Sequence, residues 1–321
     1  VDQAALNASV INKGTIQADG GNVILTARSA NALLDTVINS EGTIRARSLV
    51  ERNGSIYLDG GPAGVVSVSG GVDASGTAAG LSGGSVSVLG QYVGLFGGAN
   101  INASGDAGGG TVLVGGNFQG KGPEQNATGT YMASSAAVNA DAITSGNGGK
   151  VILWSDGTTS AFGTISARGG AQGGNGGFLE VSGRQVLNFG AKVDTRAPLG
   201  TSGMLLLDPE HIVIDNNTTD AEITPDGADP NVFTNGDNNS THNLNWADIN
   251  TALASTAVTV QTTNGSNITI TEAGSLSNGN TLLLNSGGNI TQDVGATITR
   301  TTSGAALTLS AAGAGDNITL N

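Results

Sequence analysis

The sequence predicts an all-β fold, a right-handed parallel β-helix with three strands per turn and one loop-and-helix excursion. Three observations predict it: a repeated Gly-Gly step followed by alternating apolar residues, a period of 26 to 28 residues, and a composition suited to a thin core. The chain of 321 residues holds 53 Gly, 12% charged and 3% aromatic residues, against about 25% charged and about 7% Gly in an ordinary domain. Disorder is a poor fit, because disordered chains pair low hydrophobicity with high charge and 38% of this chain is hydrophobic.

The step recurs as Gly20-Gly21-Asn22-Val23-Ile24-Leu25, Gly83-Gly84-Ser85-Val86-Ser87-Val88 and Gly109-Gly110-Thr111-Val112-Leu113-Val114. It continues as Gly148-Gly149-Lys150-Val151-Ile152-Leu153 and Gly176-Gly177-Phe178-Leu179-Glu180-Val181, with a degenerate copy at Gly203-Met204-Leu205-Leu206-Leu207. A fixed period of this size is the mark of a solenoid. Each repeat divides into three short alternating segments bounded by Gly, which read as strands. The clearest are Phe178-Leu179-Glu180-Val181, Gln185-Val186-Leu187-Asn188-Phe189 and Ala191-Lys192-Val193-Asp194-Thr195. Stacked at about 4.8 Å per turn, roughly a dozen turns make a rod of about 55 to 60 Å. A thin tube takes Val, Ile, Leu and Ala stacked on their like and has little room for Phe or Trp. Gly, with Asn22 and Asn53, is expected to supply positive φ at the corners. A β-sandwich or barrel is the competing architecture, but those folds need hairpin turns and a buried aromatic layer.

Three units follow: regular turns over 1–215, a polar loop and short helix over 216–257, and less regular turns over 258–321. Asp215 to Asn243 is dense in Asn, Asp and Thr, holds Pro225 and Pro230, and has no strand periodicity, so it reads as an excursion. In the segment after it, Trp246, Ile249 and Leu253 share a helical face, Asn245 can cap, and Asp248 stands where a capping-box acceptor reaches back.

Membrane spans need about 20 consecutive apolar residues, and runs such as Met204 to Leu207 are a few residues long, so no span is expected. No basic and apolar leader opens the chain, and Val1-Asp2-Gln3 reads as an internal start. The net charge of −13 and scattered cations such as Arg45, Arg47 and Arg52 argue against nucleic acid, whose phosphates need clustered Lys and Arg.

The stretch from Gly148-Gly149-Lys150-Val151-Ile152-Leu153-Trp154-Ser155-Asp156, through Phe162-Gly163-Thr164-Ile165-Ser166-Ala167-Arg168-Gly169-Gly170 and Gly176-Gly177-Phe178-Leu179-Glu180-Val181-Ser182-Gly183, to Gly203-Met204-Leu205-Leu206-Leu207-Asp208-Pro209 resembles the filamentous haemagglutinin family. Residues 148 to 214 carry the specific part of the likeness. These are large bacterial adhesins of two-partner secretion. The resemblance implies an extracellular or outer-membrane-tethered β-helical stalk, here an internal segment. It implies adhesion to host cells, aggregation of bacteria or cohesion of a biofilm matrix. The implied partners are a dedicated outer-membrane transporter, acting through a part not identifiable here, and host surfaces, other bacteria or matrix polysaccharide. The absence of Cys fits such a passenger.

Parallel β-helices also carry polysaccharide lyases and hydrolases, whose sites gather several charged groups on adjacent turns. The strand-borne charges Glu180, Lys192, Asp194 and Arg168 stand singly and read as solvated surface. His211 and His242 lie beside no nucleophile and lack zinc-ligand spacing. No catalysis and no cofactor are expected, apart from calcium: Asp226, Asp229 and Asp237 in the polar loop offer hard oxygen ligands, although their spacing matches no known calcium loop and a flexible loop is the competing reading. Among many Asn-x-Ser/Thr sequons, Asn126, Asn217, Asn239 and Asn267 are the glycosylation candidates. Carbohydrate- or ice-binding by a solenoid face is a further alternative, the latter resting on Thr269, Thr271, Thr299, Thr301 and Thr302, which make an irregular ladder.

Overall fold

Glycine pairs and β-branched residues at a fixed period give a stack of parallel strands in which each turn pairs with the turns before and after it. The structure is a computed structural model and describes residues 9–27, 36–49, 53–216, 243–262, 265–304, 306–313 and 315–321. Among these residues one long sheet of ten parallel strands runs from Asn22–Thr26 to Leu307–Ala311. A second sheet of seven strands runs from Val10–Asn12 to Val186–Phe189, and a third of seven from Thr15–Gln17 to Lys192–Asp194. Up to Asp194 the chain visits the three in rotation, and beyond it the long sheet continues beside a five-stranded and a two-stranded sheet, so the fold is a parallel β-helix with three strands per turn. Ten stacked strands span about 43 Å at the usual spacing. The expectation of a dozen turns is corrected to about ten because two turns are long: Val112 pairs with Val151, and Leu205 with Val258.

The core is a set of ladders of like residues. In the long sheet Val23, Ile56, Val86, Val112, Val151, Leu179, Leu205, Val258, Leu282 and Leu307 pair in register from turn to turn, all buried except the partly buried Leu307. At the corner after the third sheet, Ala46, Ala74, Ala103, Ala140 and Ala167 form a second ladder and are fully buried. The tube does admit aromatics, contrary to expectation: Phe189 and Trp246 belong to the same core.

The repeated Gly-Gly step sits opposite this alanine ladder and works by close approach. The second glycine of each pair closes its turn by donating its N–H to the ladder carbonyl, as Gly110 to Ala103, Gly149 to Ala140 and Gly177 to Ala167, each at 2.7 Å. A Cβ at Gly110, Gly149, Gly177 or Gly203 would overlap the backbone carbonyl oxygen of the preceding turn's glycine. None of these four has a positive φ. Asn22 and Asn53 do not have one either. Gln119 is the sole non-glycine residue with positive φ among those described.

Helix α1 (Trp246–Leu253) forms where the apolar spacing placed it. Asn245 caps it, its side chain accepting the Ala247 N–H at 2.7 Å, and Trp246, Ile249, Ala252 and Leu253 are buried. The helix packs against the last strand of the third sheet, Lys192–Asp194, on one side and against Gly274–Leu276 on the other. It therefore stands in the rod as one turn's third wall. Residues 243–257 of the expected 216–257 unit are part of the stack, and 217–242 lie outside the described residues. Beyond the helix, turns shorten: Val258 pairs with Leu282 and Leu282 with Leu307.

Asn245→Ala removes the cap and is expected to cost about 1 kcal/mol. Urea unfolding followed by circular dichroism would read it as a lowered midpoint at unchanged slope.

Candidate functional site

Two places on the outside of the rod gather polar chemistry. The first is a groove of about 850 Å³ along the third sheet, lined among others by Asn100, Asn102, Asn139, Asp141, Arg168 and Arg196. Its floor follows from strand alternation: Asn102 and Asn139 pair in register on successive turns, each one residue before the inward alanine ladder, and Ser166 and Asp194 continue the row beyond the groove. The Asn139 amide donates to Asn100 Oδ1 at 3.5 Å.

The charges in this groove are paired. Arg168 places Nε at 3.0 Å and Nη2 at 2.7 Å from Asp141 Oδ2, while its backbone N–H reaches Asp141 Oδ1 at 2.7 Å. Ser166 Oγ donates to the same oxygen. Asp141 holds Arg168 more firmly protonated than usual. One turn on, Arg196 grips both oxygens of Asp194, with Nε to Oδ1 at 3.0 Å and Nη2 to Oδ2 at 2.6 Å. Burial pushes the Asp194 carboxyl up, and the hydrogen bonds from the Arg196 side chain and backbone outweigh it, so the group stays below the usual range. Toward the other end of the same edge, Arg45 pairs with Asp19 and Arg47 with Asp73. Arg45, Arg47, Arg168 and Arg196, scattered in sequence, thus follow one edge of the third sheet, each beside a carboxylate, while Arg52 lies outside the described residues. A row of amides and forked ion pairs repeating at the inter-turn spacing can hydrogen-bond an elongated, hydroxyl-rich ligand without selecting strongly for its charge.

The second place is a covered patch on the long sheet. Leu113, Ile152 and Trp154 form an apolar cluster on its outer side, with Phe178 against it. The loop between Val114 and Gly129 folds over them, its short helix Phe118–Gly120 stacking Phe118 edge-on to Phe178 with centroids 5.6 Å apart. Under this loop lies Glu180, which is fully buried. The expectation of a solvated Glu180 is corrected: its strand alternates outward as read, but the loop covers it. The Gln119 N–H, in the left-handed conformation, reaches both carboxyl oxygens at 3.2 and 3.1 Å. Burial raises the Glu180 carboxyl to about 7, against the opposing effect of the Gln119 and Ser182 hydrogen bonds. Asp208, one turn on, is also buried and raised by that burial, although it accepts from the Gln119 side chain at 2.9 Å and Gln261 at 3.3 Å.

The other sequence candidates are dispersed. Asp226, Asp229, Asp237, Asn217, Asn239 and His242 lie outside the described residues. Asn126 is half-buried, its amide nitrogen donating to Gly120 O at 2.9 Å and to Asp156. Asn267 is exposed, its carbonyl accepting the Asn289 N–H, and Asn289 in turn accepts the Asn317 N–H, so these sequons form an asparagine ladder. Lys192 and His211 are exposed. Among the described residues no three His, Asp or Glu are grouped to hold a metal ion, and no helix is long and apolar enough to cross a membrane. One signal in the sequence could have located the covering loop: the Gly-Gly step after Gly109-Gly110 is delayed to Gly148-Gly149, leaving a dozen residues without a place in the turn. No family model matches the chain, and no curated protein matches it.

Proposed function

We propose that this chain is a non-catalytic stalk segment of a bacterial surface adhesin, extracellular or tethered at the outer membrane, that spaces and presents adhesive contacts. The observation that carries the reading is the unbroken in-register ladder of ten parallel strands: load applied along such a rod is shared by many inter-turn hydrogen bonds at once. The groove on the third sheet supplies the contact surface, and its neutral, amide-rich floor suits matrix or host polysaccharide. The likeness of residues 148 to 214 to the filamentous haemagglutinin family points the same way and implies delivery through a two-partner-secretion transporter.

The test is surface display of the chain on non-adherent cells, with wild type compared to a triple variant, Asn102→Ala, Asn139→Ala and Arg196→Ala. Each lost hydrogen bond is worth about 1 kcal/mol, so retention on a polysaccharide-coated surface is expected to fall by roughly tenfold or more. Unchanged retention would move adhesion away from the groove and leave the segment as a spacer.

A second reading, a polysaccharide-cleaving enzyme, is favoured by one observation: Glu180 and Asp208 are carboxyl groups of raised pKa on adjacent turns. It requires the loop at 115–128 to lift. Cleavage of a polyuronate or neutral glucan that disappears in Glu180→Gln would establish it in place of the stalk.

A further inference from the structure

The covering loop holds a second arrangement, independent of the groove. Asn117 opens the short helix as its N-cap, and its side chain touches three groups. Lys150 Nζ, from the first position of strand Lys150–Ser155, lies 3.2 Å from Asn117 Oδ1. The Phe118 backbone N–H donates to the same oxygen at 2.7 Å. On the other side, Asn117 Nδ2 donates to Glu124 Oε2 at 2.8 Å. All three side chains are half-buried, and the Phe118 ring lies 5.9 Å from Nζ, beside Phe178. Gly122 makes the approach feasible, since a Cβ there would come within 2.8 Å of Glu124 Oε2 and 3.0 Å of Asn117 Nδ2.

We propose that Lys150 and Asn117 join in an intramolecular isopeptide bond, with Glu124 carrying the proton. The roles follow from the contacts. A carboxamide is a poor electrophile, and it is activated by donors aimed at the oxygen where charge develops; the Phe118 N–H is such a donor. Holding amine and carbonyl in contact converts a slow bimolecular aminolysis into an intramolecular one. The Lys150 ammonium first gives one proton to solvent, to be taken up again by the departing ammonia, and the free amine Nζ then attacks Asn117 Cγ. The proton it sheds passes to the Glu124 carboxylate and on to Nδ2. The Nζ–Cγ bond forms, the Cγ–Nδ2 bond breaks, and the nitrogen leaves as ammonia. Starting from the lysine ammonium, the products are a secondary amide and an ammonium ion; nothing is oxidised or reduced and no co-reactant is needed. The bond ties the inserted loop to the strand beneath it, so that the cover over Trp154 and Glu180 cannot peel away under load.

The intact mass of the purified chain tests this. It is expected to fall short of the sequence mass by one ammonia, and tryptic digestion is expected to yield one branched peptide containing both Asn117 and Lys150 with no cleavage after Lys150. Lys150→Arg and Asn117→Ala are each expected to show the full mass of their own sequence, and Glu124→Gln to leave most of the chain unlinked. Two results would overturn the proposal: an intact mass equal to the sequence mass, or an ammonia loss with Lys150 still cleaved, which marks a cyclised asparagine instead.

Discussion

Gly149→Val is expected to destabilise the rod by about 3 kcal/mol, at the upper end of what overpacking a close-packed interior costs. The cause is steric and local. The Gly149 N–H is bonded to Ala140 O at 2.7 Å, and a Cβ would overlap the Gly110 carbonyl oxygen of the turn before and crowd the Ala140 methyl at 2.9 Å. Neither neighbour can withdraw, because Gly110 is itself bonded to Ala103 and Ala140 is fully buried. Relief requires separating two turns of the stack. In a repeat array, stability is shared between each turn and its neighbours, so the damage should appear as a lower unfolding midpoint. The matched control is Gly279→Ala. Nothing lies within 4 Å of a Cβ there and φ is not positive, so the change should be neutral or stabilise slightly, by up to about 1 kcal/mol, through the unfolded chain. Equal effects at the two positions would mean that the Gly-Gly step is not an inter-turn contact.

Wild-type stability is expected to fall by roughly 3 kcal/mol between pH 5 and pH 8, and Glu180→Gln is expected to abolish most of that slope. Burial raises the Glu180 carboxyl from an ordinary 4.5 to about 7. The unfolded chain therefore gives up this proton near pH 4.5, while the folded chain holds it to near neutrality. Over that window the folded state binds the extra proton, so stability is greatest below the unfolded pKa and is lost as pH rises through the folded one. A shift of this size corresponds to ~3 kcal/mol at about 1.4 kcal/mol per unit. Asp208, raised by the same burial, adds to the slope in the same direction. The depressed carboxyls Asp19, Asp106 and Asp194 act at lower pH, where they lose their partners on protonation. Urea unfolding at a series of pH values measures both curves. A wild-type curve that stays flat or rises from pH 5 to pH 8 would show that Glu180 is solvated.

What could be read in the sequence is what the period controls. Stacking forces like residues onto like, so Val151, Leu179 and Leu205 announce a buried ladder by their spacing alone, and the three segments per repeat fix three sheets. The i, i+3, i+7 pattern of Trp246, Ile249 and Leu253 likewise gives α1 and its buried face. Its layer is another matter. Whether a helix leaves a rod or replaces one of its walls depends on contacts with Lys192–Asp194 and Gly274–Leu276, which no local pattern encodes. Glu180 escapes for the same reason: alternation says that it points outward, and the loop that buries it, with Gln119, follows the strand two turns before. The groove shows the limit from the other side. Asp141 and Arg168 are 27 residues apart, one period, and a search for opposite charges at the repeat spacing would have paired them. Glycines such as Gly20 and Gly115 do take the positive φ expected of them, whereas the second glycine of each step serves close approach, and the two demands select the same residue.

The claim on which the rest depends is that the ladder runs unbroken through α1, since a stalk that separates into two stacks there cannot carry load as one. Hydrogen–deuterium exchange read by mass spectrometry on the intact chain measures this directly. Amides of Trp246–Leu253 and Ala257–Gln261 should be protected to the same extent as those of Lys150–Ser155 and Leu282–Ser286. Rapid exchange of 246–261 between two protected blocks would show that the rod is interrupted and contradict the single-stack reading.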